Sequence, residues 1–135
     1  MVASRRQHDP QHTEETMSLL TDIQRAQLLA NGRTNAARNA TGQAEQDFIP
    51  VVRLFTPDAN ATWLLTEIDP GDEDAAFGLC DLGLGCPEVG YVSLSELAAV
   101  RGRLGLPVEC DRHFQGHKTL YAYAAAAYAA GFIKA

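Results

Sequence analysis

Carboxylates are the reactive groups this chain offers in greatest density. Glu67-Ile68-Asp69 closes an apolar run, Asp69 to Asp74 holds four acids in six residues, and Asp81 and Glu88 follow. Carboxylates on neighbouring strands can hold Mg²⁺ for phosphoryl transfer. Glu67 and Asp69, two apart on a strand, would share a face, and Asp81 on the next strand could join them. Those three residues make a candidate centre for a divalent-metal-dependent phosphohydrolase or nuclease. Such a centre lacks a balancing cation, because no Lys, Arg or His stands between Phe55 and Arg101. Arg53 or His113 would have to approach in space. The acids also miss the EF-hand pattern: Asp69, Asp72 and Asp74 have the wrong offsets and no terminal Glu follows.

Cysteine and histidine form a second set. Cys110, His113 and His117 carry part of a zinc-site spacing, and Cys80 or Cys86 could complete four ligands. Structural zinc sites bring close ligand pairs on two knuckles, and here only one arm is present. The plainer reading puts Cys80 in a strand, Cys86 in a loop and the histidines on the surface before the last helix. A Cys-His dyad has no identifiable oxyanion donor or third orienting group. His8 and His12 are incidental residues of a polar N-terminal stretch. Gly83-Leu84-Gly85-Cys86-Pro87-Glu88 lacks the third glycine of a dinucleotide loop and the Gly-Lys-Ser/Thr ending of a P-loop, and Glu88 would repel phosphate. There is no Gly-x-Ser-x-Gly elbow. The expectation is a chain with no catalytic residues, no metal and no cofactor.

The distribution of charge is more telling. Leu54 to Val100 contains nine acids and no Lys or Arg, a local charge of −9 against +3 elsewhere, for a net −6. A solvated turn that aids solubility would explain such a run. The sharper expectation is a negative surface that docks a basic protein, with Glu67, Asp69, Asp72, Glu73, Asp74 and Glu88 as the partner-binding residues. That partner would be a nucleic-acid-binding protein whose basic cleft accepts an acidic decoy. Direct nucleic-acid binding is not expected at a pI of about 5.1. Replacing Asp72, Glu73 and Asp74 by amides should slow association and leave the fold intact, on the expectation that their loop is exposed.

The elements that must position these residues are legible in outline. The chain has 135 residues, 46% of them hydrophobic and 21% charged, which fits one globular domain. Residues 1–16 are polar and read as a disordered tail ahead of a single domain over 17–135. No apolar stretch follows Arg5-Arg6, so a secretory signal is not expected. Three cysteines, an odd number, fit a reduced cytoplasmic setting. No apolar run approaches the roughly 18 residues of a membrane span. Thr21 and Gln24 make a capping box for a helix with Ile23, Ala26 and Ala30 at helical spacing and Leu29 close to that face, stopped by Asn31-Gly32. Arg33 to Gln46 is a loop or a weakly held helical extension.

Pro50 to Phe55 and Thr62 to Ile68 read as a hairpin, Asp69 to Asp74 as a loop, and Ala75 to Leu82 as a third strand. Ser93 and Glu96, with the Val92–Leu97 staple, start a short helix over Leu94 to Arg101. Leu106 to Cys110 is extended. An alanine-rich helix from about Lys118 to Ala130 ends at Gly131, with Tyr121 and Tyr128 on one face and Tyr123 on another. The fold class is therefore α+β with a mainly antiparallel sheet. The expected core is Val52, Leu54, Trp63, Leu65, Phe77, Leu79, Val92, Leu97 and Leu120, anchored by Trp63.

Several segments, in order, resemble a small bacterial family of unknown function. They are Leu20 to Arg25, Phe48 to Phe55, Thr62 to Pro70, Ala76 to Gly83 and Pro87 to Leu97. Members of that family often lie on plasmids and integrative elements of proteobacteria. The resemblance, over about Leu19 to Ile133, implies an accessory protein of mobile genetic elements. It implies no activity, fold or site residues. With the acidic segment it suggests a non-enzymatic binding module, such as an anti-defence inhibitor or a nucleic-acid mimic. The metal-dependent phosphohydrolase is the alternative.

Overall fold

The first helix, α1 (Asp22–Ala40), opens on the capping box the sequence predicts: Thr21 Oγ1 accepts from Gln24 N at 3.1 Å and Gln24 Oε1 accepts from Thr21 N at 2.9 Å. The computed structural model describes residues 19–135. The expected tail, with His8 and His12, lies outside them. Asn31-Gly32 does not stop the helix, and the extension reading holds as far as Ala40. Gly32 is there for contact. A Cβ at that position would lie 1.8 Å from the Ile68 carbonyl oxygen, so only glycine lets the helix lie this close to the sheet. The inward face also differs from the expected one. Leu28, Asn31, Gly32 and Asn35 are buried, whereas Ile23 is 83% exposed.

Five strands follow: β1 (Val52–Phe55), β2 (Thr62–Asp69), β3 (Asp72–Asp81), β4 (Glu88–Ser93) and β5 (Glu109–Cys110). Their order across the sheet is β4-β3-β2-β1-β5, and every pair is antiparallel. Between β2 and β3 the chain turns through Pro70-Gly71 alone, since Asp69 already pairs with Asp72. The predicted six-residue acidic loop is therefore mostly strand. Helix α2 (Leu94–Ala99) follows β4, shorter than predicted, with Ser93 as its cap. Helix α3 (Leu120–Ala130) ends as expected at Gly131, whose φ of 84° is the left-handed conformation glycine adopts at least cost.

The fold is α+β, with helices on both faces of the antiparallel sheet. Helices α1 and α2 cover one face, where Leu28, Val52, Leu54, Trp63, Leu65, Ile68, Leu94 and Leu97 pack together. Helix α3 covers the other, with Leu64, Leu79, Leu120, Tyr123, Ala124 and Ala127. The small alanines let α3 lie near the sheet. Trp63 is 3% exposed, and Phe77 and Val92, expected in the core, are partly buried at its margin. Central strand β2 is covered on both sides, so Trp63 to Ile68 are buried without a break, the polar Thr66 and Glu67 included.

Candidate partner-binding surface

Pairing between β1 and β2 runs only as far as Val52 opposite Leu65, so Thr66 to Asp69 of β2 has β3 on one side and no strand on the other. Polar backbone left on a buried edge must find partners. Helix α1 supplies one through Asn31, and Asn35, one turn on, ties the Glu67 side chain and the Gln46 backbone to the same edge. Asn31 Nδ2 donates to Thr66 O at 2.9 Å. Asn35 Nδ2 donates to Gln46 O at 3.1 Å and to Glu67 Oε2 at 2.8 Å, while Asn35 Oδ1 accepts from Gln46 N at 2.7 Å. The close approach allowed by Gly32 places both side chains within reach.

A bulge then turns Glu67 over. Simple alternation would set it beside Trp63 and Leu65 on the α1 face. Instead Leu65 pairs with Gly78 and Glu67 with Phe77, leaving Thr66 as the extra residue. Glu67 thus lies on the α3 face, in a cross-strand row with Phe77 and Tyr91. The Phe77 and Tyr91 rings are 5.1 Å apart.

The surroundings of Glu67 are acidic and aromatic. The residue is 8% exposed. Burial pushes its carboxyl above the usual range, the Asn35 bond draws it back, and nearby Glu45 raises it again. Among the described residues, Oε1 has no hydrogen-bond donor and neither oxygen has an ion-pair partner. A cavity of about 190 Å³ opens onto this carboxylate, walled by Glu45, Asp47, Phe48, Phe77 and Tyr121. Asp47 Oδ1 accepts from Tyr121 N at 3.2 Å and Phe48 O from Leu120 N at 2.8 Å. Both bonds satisfy N–H groups in the first turn of α3, where a carboxylate is favoured and Thr119 makes no side-chain cap. Tyr121, in the cavity wall, is 52% exposed, and Tyr91, beside Phe77 in the cross-strand row, is 61% exposed. Both phenols are raised, by burial first, then by Glu67, Asp69 and Glu45 at Tyr91 and by Glu45 and Asp47 at Tyr121.

The six acids expected to bind a partner do not form one patch. Glu67 lies at the cavity just described, whereas Asp69 lies at the hairpin turn, paired with Asp72 and accepting from Gly71 N. Asp72 and Glu73 are exposed at the hairpin tip. Asp74 is half-buried and holds the start of α2: Ser93 Oγ donates to Oδ2 at 2.5 Å, Ser95 N to Oδ1 at 2.8 Å and Ser95 Oγ to Oδ2 at 3.0 Å. Replacing it would disturb the fold, contrary to the expectation of an exposed loop. Glu88 is exposed at the far end of the β3–β4 ladder, opposite Cys80. Sequence reasoning missed Glu45 and Asp47. They precede the base-free segment, in a stretch with no periodicity to place them.

The metal alternative finds no convergence. Asp81 pairs with Thr62, five residues along β2 from Glu67, a span of about 17 Å at the usual strand rise. Its oxygens accept from Gly83 N at 2.8 Å and Ile133 N at 3.0 Å, pinning the C-terminal residues to the β3–β4 loop. No group of three or more His, Cys, Asp or Glu side chains among the described residues is arranged to hold a metal ion. Cys110 lies against Gln24 at 3.6 Å, and His117 Nδ1 against Tyr123 Oη at 3.2 Å. His113 and Cys86 are exposed. Burial and then Glu88 push the Cys80 thiol up to about 11, and burial raises Cys110, so neither is poised as a thiolate. A larger cavity of about 490 Å³ lies beside Arg53, whose Nη1 is ion-paired to Asp111 Oδ2 at 3.2 Å. No helix among the described residues is long and apolar enough to cross a membrane.

Residues 19–134 match the model of the DUF2958 family, described as proteins of unknown function, and the chain belongs to that family. No curated protein and no solved structure gives a match.

Proposed function

We propose that this DUF2958 protein is a non-enzymatic binding module that docks a basic protein partner through the acidic surface around Glu67. One observation carries the reading. A largely buried carboxylate has a single hydrogen-bond donor and no cation among the described residues, and it opens onto a cavity walled by further acids and the exposed Tyr121. Burying a carboxylate without a counter-charge costs stability, and an incoming cation would repay it. Exposed tyrosines beside polar groups are typical of protein interfaces. Asp69, Asp72 and Glu73 extend the negative field beyond the cavity and would steer a basic partner toward it. In this reading the protein is a cytoplasmic accessory of mobile genetic elements that occupies the basic cleft of a nucleic-acid-binding protein, as an anti-defence inhibitor or nucleic-acid mimic would.

The test is kinetic. A partner captured from the native host is purified, and its association is followed as salt is raised. The Debye length shrinks from about 30 Å at 0.01 M to about 8 Å at 0.15 M, so the association rate should fall steeply. Changing Asp69, Asp72 and Glu73 to Asn, Asn and Gln should slow association more than it speeds dissociation. These amides keep the oxygens that accept from Gly71 N and Asp74 N, so the turn survives. A partner indifferent to both salt and the triple change would sink the reading.

A further inference from the structure

We propose that the cavity at Glu67 receives the guanidinium of one arginine side chain presented by the partner. This deepens the binding reading above and rests on it. The floor is Glu67, 8% exposed, with Oε2 held by Asn35 and Oε1 lacking a donor among the described residues. The Asn35 bond fixes the carboxylate while leaving one oxygen to accept from a ligand. At about 190 Å³ the cavity is below the size of pockets that enclose drug-sized molecules and fits the end of one side chain. Its wall joins aromatic faces, Phe77 and Tyr121, to carboxylates at Glu45 and Asp47.

That combination favours arginine over lysine. A guanidinium is planar, weakly hydrated and carries five donors, so it can stack on a ring while bonding to a carboxylate. An ammonium is a compact, strongly hydrated charge that gains less from the aromatic wall. The arginine should come from a protein chain. Free arginine would bring its own carboxylate against Glu45 and Asp47, whereas a peptide-borne side chain would not. Arginine is also among the residues that most often anchor interfaces.

The probe is the capped tripeptide acetyl-Gly-Arg-Gly-amide, titrated into the whole protein and followed by NMR. Saturable shifts confined to Glu67, Phe77, Tyr121 and their neighbours are expected, with a dissociation constant on the order of 1 mM for so small a ligand. Glu67→Gln, which keeps an acceptor for Asn35, should weaken binding about tenfold or more. Tyr121→Ala changes an exposed ring and should weaken it a few-fold, giving a second variant should Glu67→Gln perturb the fold. The lysine tripeptide and free arginine should both bind more weakly. No saturable shift, or equal binding by wild type and both variants, overturns the proposal. Tighter binding of free arginine than of the capped peptide overturns it too, in favour of a small-molecule site. With the captured partner the two readings separate. If the Asp69, Asp72, Glu73 variant loses association and Glu67→Gln does not, the acidic surface stands and the arginine pocket falls. If neither changes binding, both fall.

Discussion

Asp74 and Glu67 lie on adjacent strands, near the same end of the sheet, and the fold treats them in opposite ways. Asp74 receives three donors from Ser93 and Ser95, so its charge fastens β3 to the start of α2. Glu67 is more deeply buried and receives one donor, from Asn35. Asp81, at the other end of β3, resembles Asp74: it is buried and takes two backbone N–H groups. An acid with its oxygens satisfied by its own chain is structural, however dense the charge around it. A largely buried acid whose spare oxygen faces a cavity has capacity for something outside the chain. The contrast separates the six acids that composition alone groups together.

The largest effect should come from disturbing what holds Glu67 in place. Gly32→Ala puts a methyl 1.8 Å from the Ile68 carbonyl oxygen and 2.9 Å from its carbon, both backbone atoms that cannot swing aside. Helix and strand must separate, and Asn31 and Asn35 would lose reach to Thr66 and Glu67. Overpacking of this kind costs about 1–3 kcal/mol, and a backbone collision belongs at the upper end. Chemical denaturation should show that loss, although alanine favours a helix more than glycine does. A variant as stable as wild type would mean that the α1–β2 contact is looser than it stands, and with it the Glu67 site.

Much of this architecture is legible in the residues, and the part that is not has a physical cause. Capping boxes, turn residues and apolar runs act locally, so α1, the hairpin strands, α2 and α3 can be placed from sequence. Gly32 misleads because the same residue ends helices and permits close packing, and only the position of Ile68 tells which. The bulge at Thr66 leaves no mark in the alternation, so the face taken by Glu67 cannot be read beforehand. Glu45 and Asp47 join the site only because the chain crosses the open edge of β2, a contact made with residues far away in sequence. The density of acids between Leu54 and Val100 is plain to see. It gives no sign that Asp74 and Asp81 are taken up by internal bonds.

Asp74→Ala tests the other half of the contrast and should come next in size. It leaves Ser95 N and two hydroxyls without their acceptor at a half-buried site. Bonds to an ionised acceptor contribute about 1.5–3 kcal/mol in favourable cases, so a loss of about 1–3 kcal/mol is expected. Amide hydrogen exchange should locate it, with faster exchange across α2 and the adjoining end of β4 and little change in α3. Asp74→Asn should recover part of the stability, because one oxygen remains. Full stability in the alanine variant would make Asp74 a surface acid after all, and the difference from Glu67 would vanish.

The smallest effect has the opposite sign, which makes it the most discriminating. Glu67 titrates above the usual carboxylate value, by burial first and by Glu45 as well, against the pull of the Asn35 bond. In the window between the unfolded and folded pKa values, the folded state keeps a proton that the unfolded chain has released. Stability should therefore fall as pH rises through that window and stay lower above it. Glu67→Gln removes the titration and retains an acceptor for Asn35 Nδ2. Its melting temperature should equal or exceed that of wild type at about pH 7.5, with the gap closing as the pH is lowered toward about 4 and the native carboxyl gains its proton. Thermal melts across that range decide the matter. A Glu67→Gln variant less stable than wild type at about pH 7.5 would show that the ionised carboxylate is satisfied within the chain, as Asp74 is. A more stable variant that has lost the arginine peptide would show stability given up at this position for binding.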